Sequence, residues 1–337
     1  MVTSGLSVPE GARTRRDVVA IGASAGGVNA LLALCGLLPA NFPAAVLVVL
    51  HVGQNPSVLP MLLSSRGHNR ARHGENGLEI ETGTIYVAPP DRHMLVEQGR
   101  IVLSKGAKEH HTRPAVDPLF RSAALDYGPR VVGVVLTGRL DDGTAGLRAI
   151  KDCGGMAIVQ DPADAEYPAM PRNAMQSVEI DRCVPLASMP RTLMQVLEEP
   201  ISSAAAKAAA ERLDREMAVS EGKGNPIGNL NALGKPSTYS CPDCNGVLWE
   251  IQDLQPPRYR CHTGHAYSLR SLIDAQTVAT EDAIWGAIRA LQIREDALRR
   301  VGAQNRHVGD EAEAALEEAN ADEVASHAQL LLQMLKG

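Results

Sequence analysis

The stretch "DVVAIGASAGGVNALLALCGLLP", residues 17–39, decides how the rest of the chain is read. A four-residue apolar run, 18–21, meets Gly22-Ala23-Ser24-Ala25-Gly26-Gly27 and gives way to a second apolar run over 28–38. The first run has the length of a buried strand and the second the length of a helix. Ser24 at the turn admits three readings: a helix N-cap, part of a phosphate-binding loop, or a nucleophile. The dinucleotide pattern G-x-G-x-x-G is not met, because Ser24 stands at the second glycine. G-x-S-x-G is met, and in the strand–turn–helix context that gives it meaning. Such a turn carries a serine hydroxyl beyond the sheet edge. The first amides of the helix, at Ala25 and Gly26, then face any oxyanion formed beside it.

Outward from this unit, short β-branched runs alternate with helical stretches. Strands are expected at 46–50, 85–88, 101–103, 131–136 and 156–160, and helices at 28–38, 58–65, 118–127, 144–153 and 171–177. Runs of four to six apolar residues without polar alternation predict strands buried on both faces, hence an α/β fold with a mostly parallel doubly wound sheet. Residues 84–91, followed by Gly99-Arg100-Ile101-Val102-Leu103, read instead as an antiparallel hairpin.

A serine needs a base to take its proton. None of the ten histidines lies between His111 and His262, so the Ser–acid–His chain order of the α/β-hydrolases is disfavoured. The base must come from His51, His68, His73, His93, His110 or His111. His51 directly follows the strand at 46–50, and carboxyl ends of neighbouring parallel strands converge on one crevice. Beyond the strand at 131–136 lie Asp141 and Asp142, either of which is placed to orient an imidazole, the other to cap the next helix.

Composition narrows the class. The 337 residues are 45% hydrophobic and 21% charged with a net charge of -6, which argues against broad nucleic-acid or anionic-membrane binding. The longest apolar run is too short for membrane insertion. Arg15-Arg16 ahead of an apolar stretch faintly resembles a twin-arginine signal, but that stretch is needed as mature structure, and a cytoplasmic location is expected. Cys35, Cys153 and Cys183 read as scattered buried thiols.

Six segments together carry a resemblance: "VVAIGASAGG", "VVLHVG", "IYVAPPDRHMLV", "RPAVDPLFRSAA", "VVLTGRLDDGTAGL" and "VQDPADAEYPAMPRNAM". In this order they resemble the catalytic domain of the chemotaxis protein-glutamate methylesterases (CheB-type). The resemblance implies hydrolysis of glutamate methyl esters on methyl-accepting chemoreceptors, often with glutamine deamidation, and no cofactor for catalysis. It implies Ser24 as nucleophile, His51 as base and Asp142 as the acid of the triad. The oxyanion donor is implied to be the backbone amide of Arg139. The family's Thr-Gly-Met-Gly loop reads here Thr137-Gly138-Arg139-Leu140. Many members carry an N-terminal receiver domain; with 16 residues before the first strand, none is expected here. A non-catalytic signalling adaptor that keeps the fold is the alternative. Arg92, Arg113 and Arg139 are candidates for receptor carboxylates, with exposed solubilising roles as the plainer reading.

Cys241-Pro-Asp-Cys244 and Cys261-His-Thr-Gly-His265 have the spacing of a zinc ribbon, with His265 preferred over His262 as fourth ligand. Four protein ligands leave no open position, so a structural zinc is expected. The segment resembles a zinc-binding appendage on some stand-alone members of the family. The domain reading is then a disordered tail at 1–16, a catalytic domain at 17–196, a linker at 197–237, a zinc-ribbon-like module at 238–268 and a helical region at 269–337. Within the linker, 203–217 read as a solvated helix and 220–237 as a flexible connector. In the helical region Ile284, Ile288, Leu291 and Leu298 form one stripe, with Leu316 and 330–335 as a second, expected to pair as an antiparallel hairpin or a homodimer.

Overall fold

A computed structural model describes residues 15–52, 56–201, 207–252 and 257–336. The expected N-terminal tail lies, through residue 14, outside the described residues. The chain divides into two compact units, Met1–Leu272 and Ile273–Gly337.

In the first unit, β1 (Val18–Ala23), α1 (Gly27–Leu37), β2 (Ala45–Leu50), α2 (Leu59–Arg66), β3 (Arg70–His73) and β4 (Thr84–Val87) follow in turn. An antiparallel pair, β5 (His93–Glu97) and β6 (Arg100–Ser104), leads to α3 (Val116–Tyr127) and β7 (Val131–Val135). Then come α4 (Thr144–Asp152), β8 (Met156–Gln160), α5 (Ala169–Ser177), β9 (Arg182–Val184) and α6 (Met189–Glu198). Seven strands form one parallel sheet in the order β3-β4-β2-β1-β7-β8-β9. The chain leaves β1 toward β2 and later returns on its other side at β7, so strand order reverses at the carboxyl ends of β1 and β7, where α/β sheets open a crevice.

Every residue of β1, β2, β7 and β8 is buried, which is why these runs lack polar alternation. Val19 and Ile21 point to one face, covered by Leu31 and Leu34 of α1, Leu63 of α2 and Leu193 of α6. Val18 and Ala20 point to the other, covered by Leu119 and Phe120 of α3 and by Leu147 and Ile150 of α4. Arg16, half of the twin-arginine pair, belongs to this fold, donating to the carbonyls of Val196 and Glu199.

The hairpin expectation needs a correction. Thr84–Val87 is not its first strand but lies parallel in the main sheet, between β2 and β3; the partner of β6 is His93–Glu97. Cys183 is also corrected: it sits on the edge strand β9 and is exposed, whereas Cys35 and Cys153 are buried.

Residues 207–268 build the rest of this unit: α7 (Lys207–Ser220), α8 (Pro226–Leu233) and an antiparallel sheet of β10 (Gly234–Ser240), β11 (Val247–Ile251), β12 (Arg258–Cys261) and β13 (Ala266–Ser268). The segment read as a flexible connector thus holds α8, capped by the Asn225 side chain, and the start of β10. The solvated-helix reading of α7 also changes, for Leu213, Glu216 and Met217 are buried.

In the second unit, α9 (Leu269–His307) continues and α10 (Glu311–Met334) follows. Ile288 is buried, as expected. On α10 the buried positions are Ala314, Ala321, Val324 and Ala328, while Leu316 and Leu330 are exposed, contrary to the predicted stripe. The pairs Arg299–Asp322 (3.1 Å) and Arg306–Glu318 (2.7 Å) link α9 to α10. Among the described residues no helix is long and apolar enough to cross a membrane.

Candidate active site and cysteine cluster

The register of the sheet brings the predicted residues together. Ala23 of β1 pairs with Leu50 of β2, so the next residues, Ser24 and His51, emerge side by side at the carboxyl edge. The Ser24 Oγ lies 3.0 Å from His51 Nδ1, and His51 Nε2 lies 2.7 Å from Asp142 Oδ2. With the imidazole proton on Nε2, donated to Asp142, Nδ1 is free to accept from the serine hydroxyl. Ser24 is also pinned from the loop that follows β7, its amide donating to the Thr137 carbonyl at 3.0 Å.

Asp142 is 2% exposed. Its carboxylate accepts from the amides of Val116 (2.7 Å), Asp117 (3.0 Å) and Gly143 (2.8 Å) as well as from His51. Burial alone would raise its pKa, but the charge of His110, the His51 hydrogen bond and the Val116 amide outweigh burial and hold the group well below the usual carboxylate range. Asp141, the other candidate, turns away and accepts from Ser268 Oγ at 2.7 Å.

Two glycines set the approach to Ser24. Gly26 has φ 74°, a left-handed conformation that favours glycine, and lets the chain turn from β1 into α1. At Gly138 a Cβ would lie 3.0 Å from the Ser24 Cβ and 2.4 Å from the Met170 sulfur, so only hydrogen fits. Among the described residues the amides of Ala25, Gly26 and Arg139 have no protein acceptor, which leaves donors beside Ser24 for a developing oxyanion.

The sequence profile of the family described as CheB methylesterase matches residues 19–193. The chain belongs to the CheB methylesterase family. A relative from Leptospira interrogans is 36% identical over 167 residues, which is 49% of this chain and 86% of the relative. A protein named "protein-glutamate methylesterase/protein-glutamine glutaminase 2" from Anaeromyxobacter dehalogenans is 39% identical over 183 residues, covering 54% of each chain. The crystal structure of the Thermotoga maritima CheB methylesterase catalytic domain matches with a TM-score of 0.52 and 32% identity, over 53% of this chain and 98% of that domain.

Against the family's Thr-Gly-Met-Gly loop, the CheB-type site here has one strained departure. Leu140, at the second glycine position, adopts φ 60°. A non-glycine residue there crowds its Cβ against the backbone, and the conformation is held because Asn173 donates to the Leu140 carbonyl at 2.6 Å. Arg139 is exposed, with its guanidinium 5.3 Å from the Tyr167 ring. Arg113 is not free to bind a substrate carboxylate: it pairs with Asp91 at 2.7 Å and donates to the Lys105 and Gly106 carbonyls. Arg92 also lies beside Asp91, at 3.7 Å.

Cys241, Cys244, Cys261 and His265 place their ligand atoms within 4.8 Å of one another. Cys244 Sγ and Cys261 Sγ are 3.7 Å apart, and His265 Nδ1 lies 3.6 Å from Cys241 Sγ and 3.5 Å from Cys261 Sγ. A tetrahedral centre with Zn–S bonds of about 2.3 Å has S···S edges of about 3.8 Å, so the donor set fits zinc. His262 lies outside the cluster, its ring facing Gly246.

Sequence reasoning passed over Asp117 and weighed His110 only as an alternative base. Asp117 donates its amide to Asp142 and accepts from Gly146 at 2.6 Å through its carboxylate. His110 Nε2 lies 3.0 Å from Asp117 Oδ2 and 3.6 Å from Asp142 Oδ1. The signal was the "HHTRPAVD" run itself, whose acidic end opens α3 directly behind Asp142.

Proposed function

We propose that this chain is a serine esterase that hydrolyses glutamate methyl esters, and deamidates glutamines, on methyl-accepting chemoreceptors. The observation that carries this reading is the unbroken hydrogen-bond chain Ser24–His51–Asp142 at three adjacent strand ends. Membership of the CheB methylesterase family supports the substrate class.

His51 Nδ1 takes the Ser24 proton as Oγ attacks the ester carbonyl. Asp142, held ionised, stabilises the imidazolium and fixes its tautomer. The amides of Ala25, Gly26 and Arg139 receive the oxyanion. Collapse of the tetrahedral intermediate passes the proton from His51 to departing methanol. Water then enters, gives a proton to His51, attacks the acyl group and releases the γ-carboxylate with Ser24 restored. No step draws on a cofactor. The Cys241, Cys244, Cys261 and His265 set serves instead as a structural zinc site, with no position left for substrate.

Methanol release from methylated receptor fragments tests the reading, with Ser24→Ala expected to lose about 10⁴-fold or more in rate. A wild-type rate no greater than that of Ser24→Ala would favour the non-catalytic adaptor. The exposed apolar residues Ile293, Val301, Leu316 and Leu330 support homodimerisation through the C-terminal helices, checked by the solution mass with and without Ile293→Glu.

A further inference from the structure

The residues behind Asp142 do not all come from the catalytic sheet. His110, 6% exposed at its side chain, has Nε2 facing Asp117 and Asp142 while Nδ1 lies 2.9 Å from Ser271 Oγ. Ser271 sits at the start of α9, immediately after β13. Ser268, three residues earlier, donates to Asp141 at 2.7 Å, and the two serine hydroxyls lie 3.2 Å apart. The His110 backbone is held in the left-handed region at φ 52°, costly for a non-glycine residue, with its amide donating to the Ala266 carbonyl of β13 at 2.8 Å. Burial alone would lower the pKa of His110, but Asp142, Asp117 and Asp141 together raise it to about 9, so the ring is cationic at neutral pH. Both ring nitrogens therefore donate, one to the carboxylate layer and one to Ser271.

A second, independent set of contacts fixes the same two parts against each other. Glu109, adjacent to His110, accepts from Arg121 of α3 and from Arg260 of β12 at 3.0 Å. Arg260 reaches Glu216 of α7 at 2.9 Å, and all four of these side chains are at most 3% exposed. Buried charges of this kind are stable only with partners in place, so the module cannot swing away without stranding them.

We propose that His110 is a positioning residue for the triad carboxylate, and that the Ser268–Ser271 turn of the C-terminal module completes this layer, making the module an integral part of the esterase site. The proposal rests on the esterase reading. His110 bridges Ser271 and the Asp117–Asp142 carboxylates, and Ser268 restrains Asp141 next in sequence to Asp142. Losing either serine frees the loop that aims Asp142 at His51.

The test is steady-state hydrolysis of methylated receptor fragments by the full chain carrying Ser271→Ala, Ser268→Ala or His110→Gln, with Ser24→Ala as control. Each of the three is expected to lower kcat by about tenfold to a hundredfold, since small misplacements of catalytic groups cost that much, with KM little changed. The pH–rate profile should shift as well, because His51 no longer faces a fixed carboxylate. Unchanged kcat and pH profile in the serine variants, with Ser24→Ala inactive, would overturn the proposal and leave the esterase reading standing. An active Ser24→Ala would sink the esterase reading itself. If His110→Gln does not fold, the two serine variants decide.

Discussion

Val116 Cγ1 stands where a Cβ on Gly22 would have to go: the two would be 2.4 Å apart. The amide of the same Val116 donates to Asp142 at 2.7 Å. The first glycine of G-x-S-x-G therefore does more than ease the turn to Ser24, for it lets α3 come close enough for its first amide to reach the Asp142 carboxylate. Gly22→Ala is expected to push the start of α3 outward, lowering stability by about 1–3 kcal/mol. It should also weaken the hold on Asp142, and thermal unfolding with esterase kinetics on one preparation checks both effects.

Asp142 Oδ2 lies 2.7 Å from His51 Nε2, and an ionised carboxylate there favours the proton on that nitrogen. In Asp142→Asn the amide side chain would offer N–H toward His51 Nε2, favouring the proton on Nδ1, where it faces Ser24 and blocks proton transfer. A fall in kcat of about 10⁴-fold is expected with the fold intact. The carboxyl's depressed pKa also adds stability that is present above the ordinary aspartate range near 3.9 and is lost as pH falls toward its folded value. Acid unfolding of the wild type should therefore be steeper than that of Asp142→Asn.

Leu140 gives a prediction of opposite sign. Its φ of 60° is natural for glycine and costly for leucine. Leu140→Gly, which puts the family's glycine back at this position, is expected to raise stability by about 1 kcal/mol, a modest gain because glycine also loses more entropy on folding. Chemical denaturation reads the change. A loss of stability would mean that the half-buried side chain contributes more than the backbone strain costs.

His110 predicts an alkaline limb. Its pKa is raised from about 6.5 in an unfolded chain to about 9 in the fold. A raised pKa contributes stability that is fully present below the unfolded value and is lost as pH rises through the folded one. The groups facing it are Asp117, Asp141 and Asp142 with Ser271, with Glu109 and Arg260 lining the same pocket, so losing the proton leaves the three carboxylates without the cation they surround. The wild type should lose stability between about pH 7 and pH 10. His110→Gln should start lower and vary less, and unfolding midpoints against pH distinguish the two.

Much of this site was legible in the sequence because it is built at strand ends. A run such as 18–21 or 46–50 fixes where a parallel strand stops, and residues one step beyond neighbouring strands meet whatever the loops do. The meeting of Ser24 and His51 was readable for that reason, while the choice of Asp142 over Asp141 came from the family likeness. The hairpin partner of β6 was misassigned because Thr84–Val87 and His93–Glu97 are both apolar with β-branched residues, and only tertiary pairing tells them apart. The burial of α7 was illegible for another reason. Glu216 looks like a solvent-facing charge until Arg258 and Arg260, more than forty residues away, supply its partners. Contacts of that range leave no local periodicity to read.

The cysteine cluster gives the last test. Three sulfurs and one imidazole nitrogen at tetrahedral spacing are poorly suited to remain side by side without a cation, because thiolates repel and thiols donate weakly. Bound zinc would tie the β10–β11 knuckle, carrying Cys241 and Cys244, to the β12–β13 turn carrying Cys261 and His265. Ser268 and Ser271 follow that turn directly, so the metal would stiffen the segment that reaches the acidic residues behind the triad. Purified protein is expected to hold about one zinc per chain, and Cys244→Ser to hold less. Removing the metal with a chelator should lower the unfolding midpoint and reduce kcat in parallel, with both recovering on adding zinc. A metal-free protein as stable as the loaded one would rule out a structural zinc at these four residues.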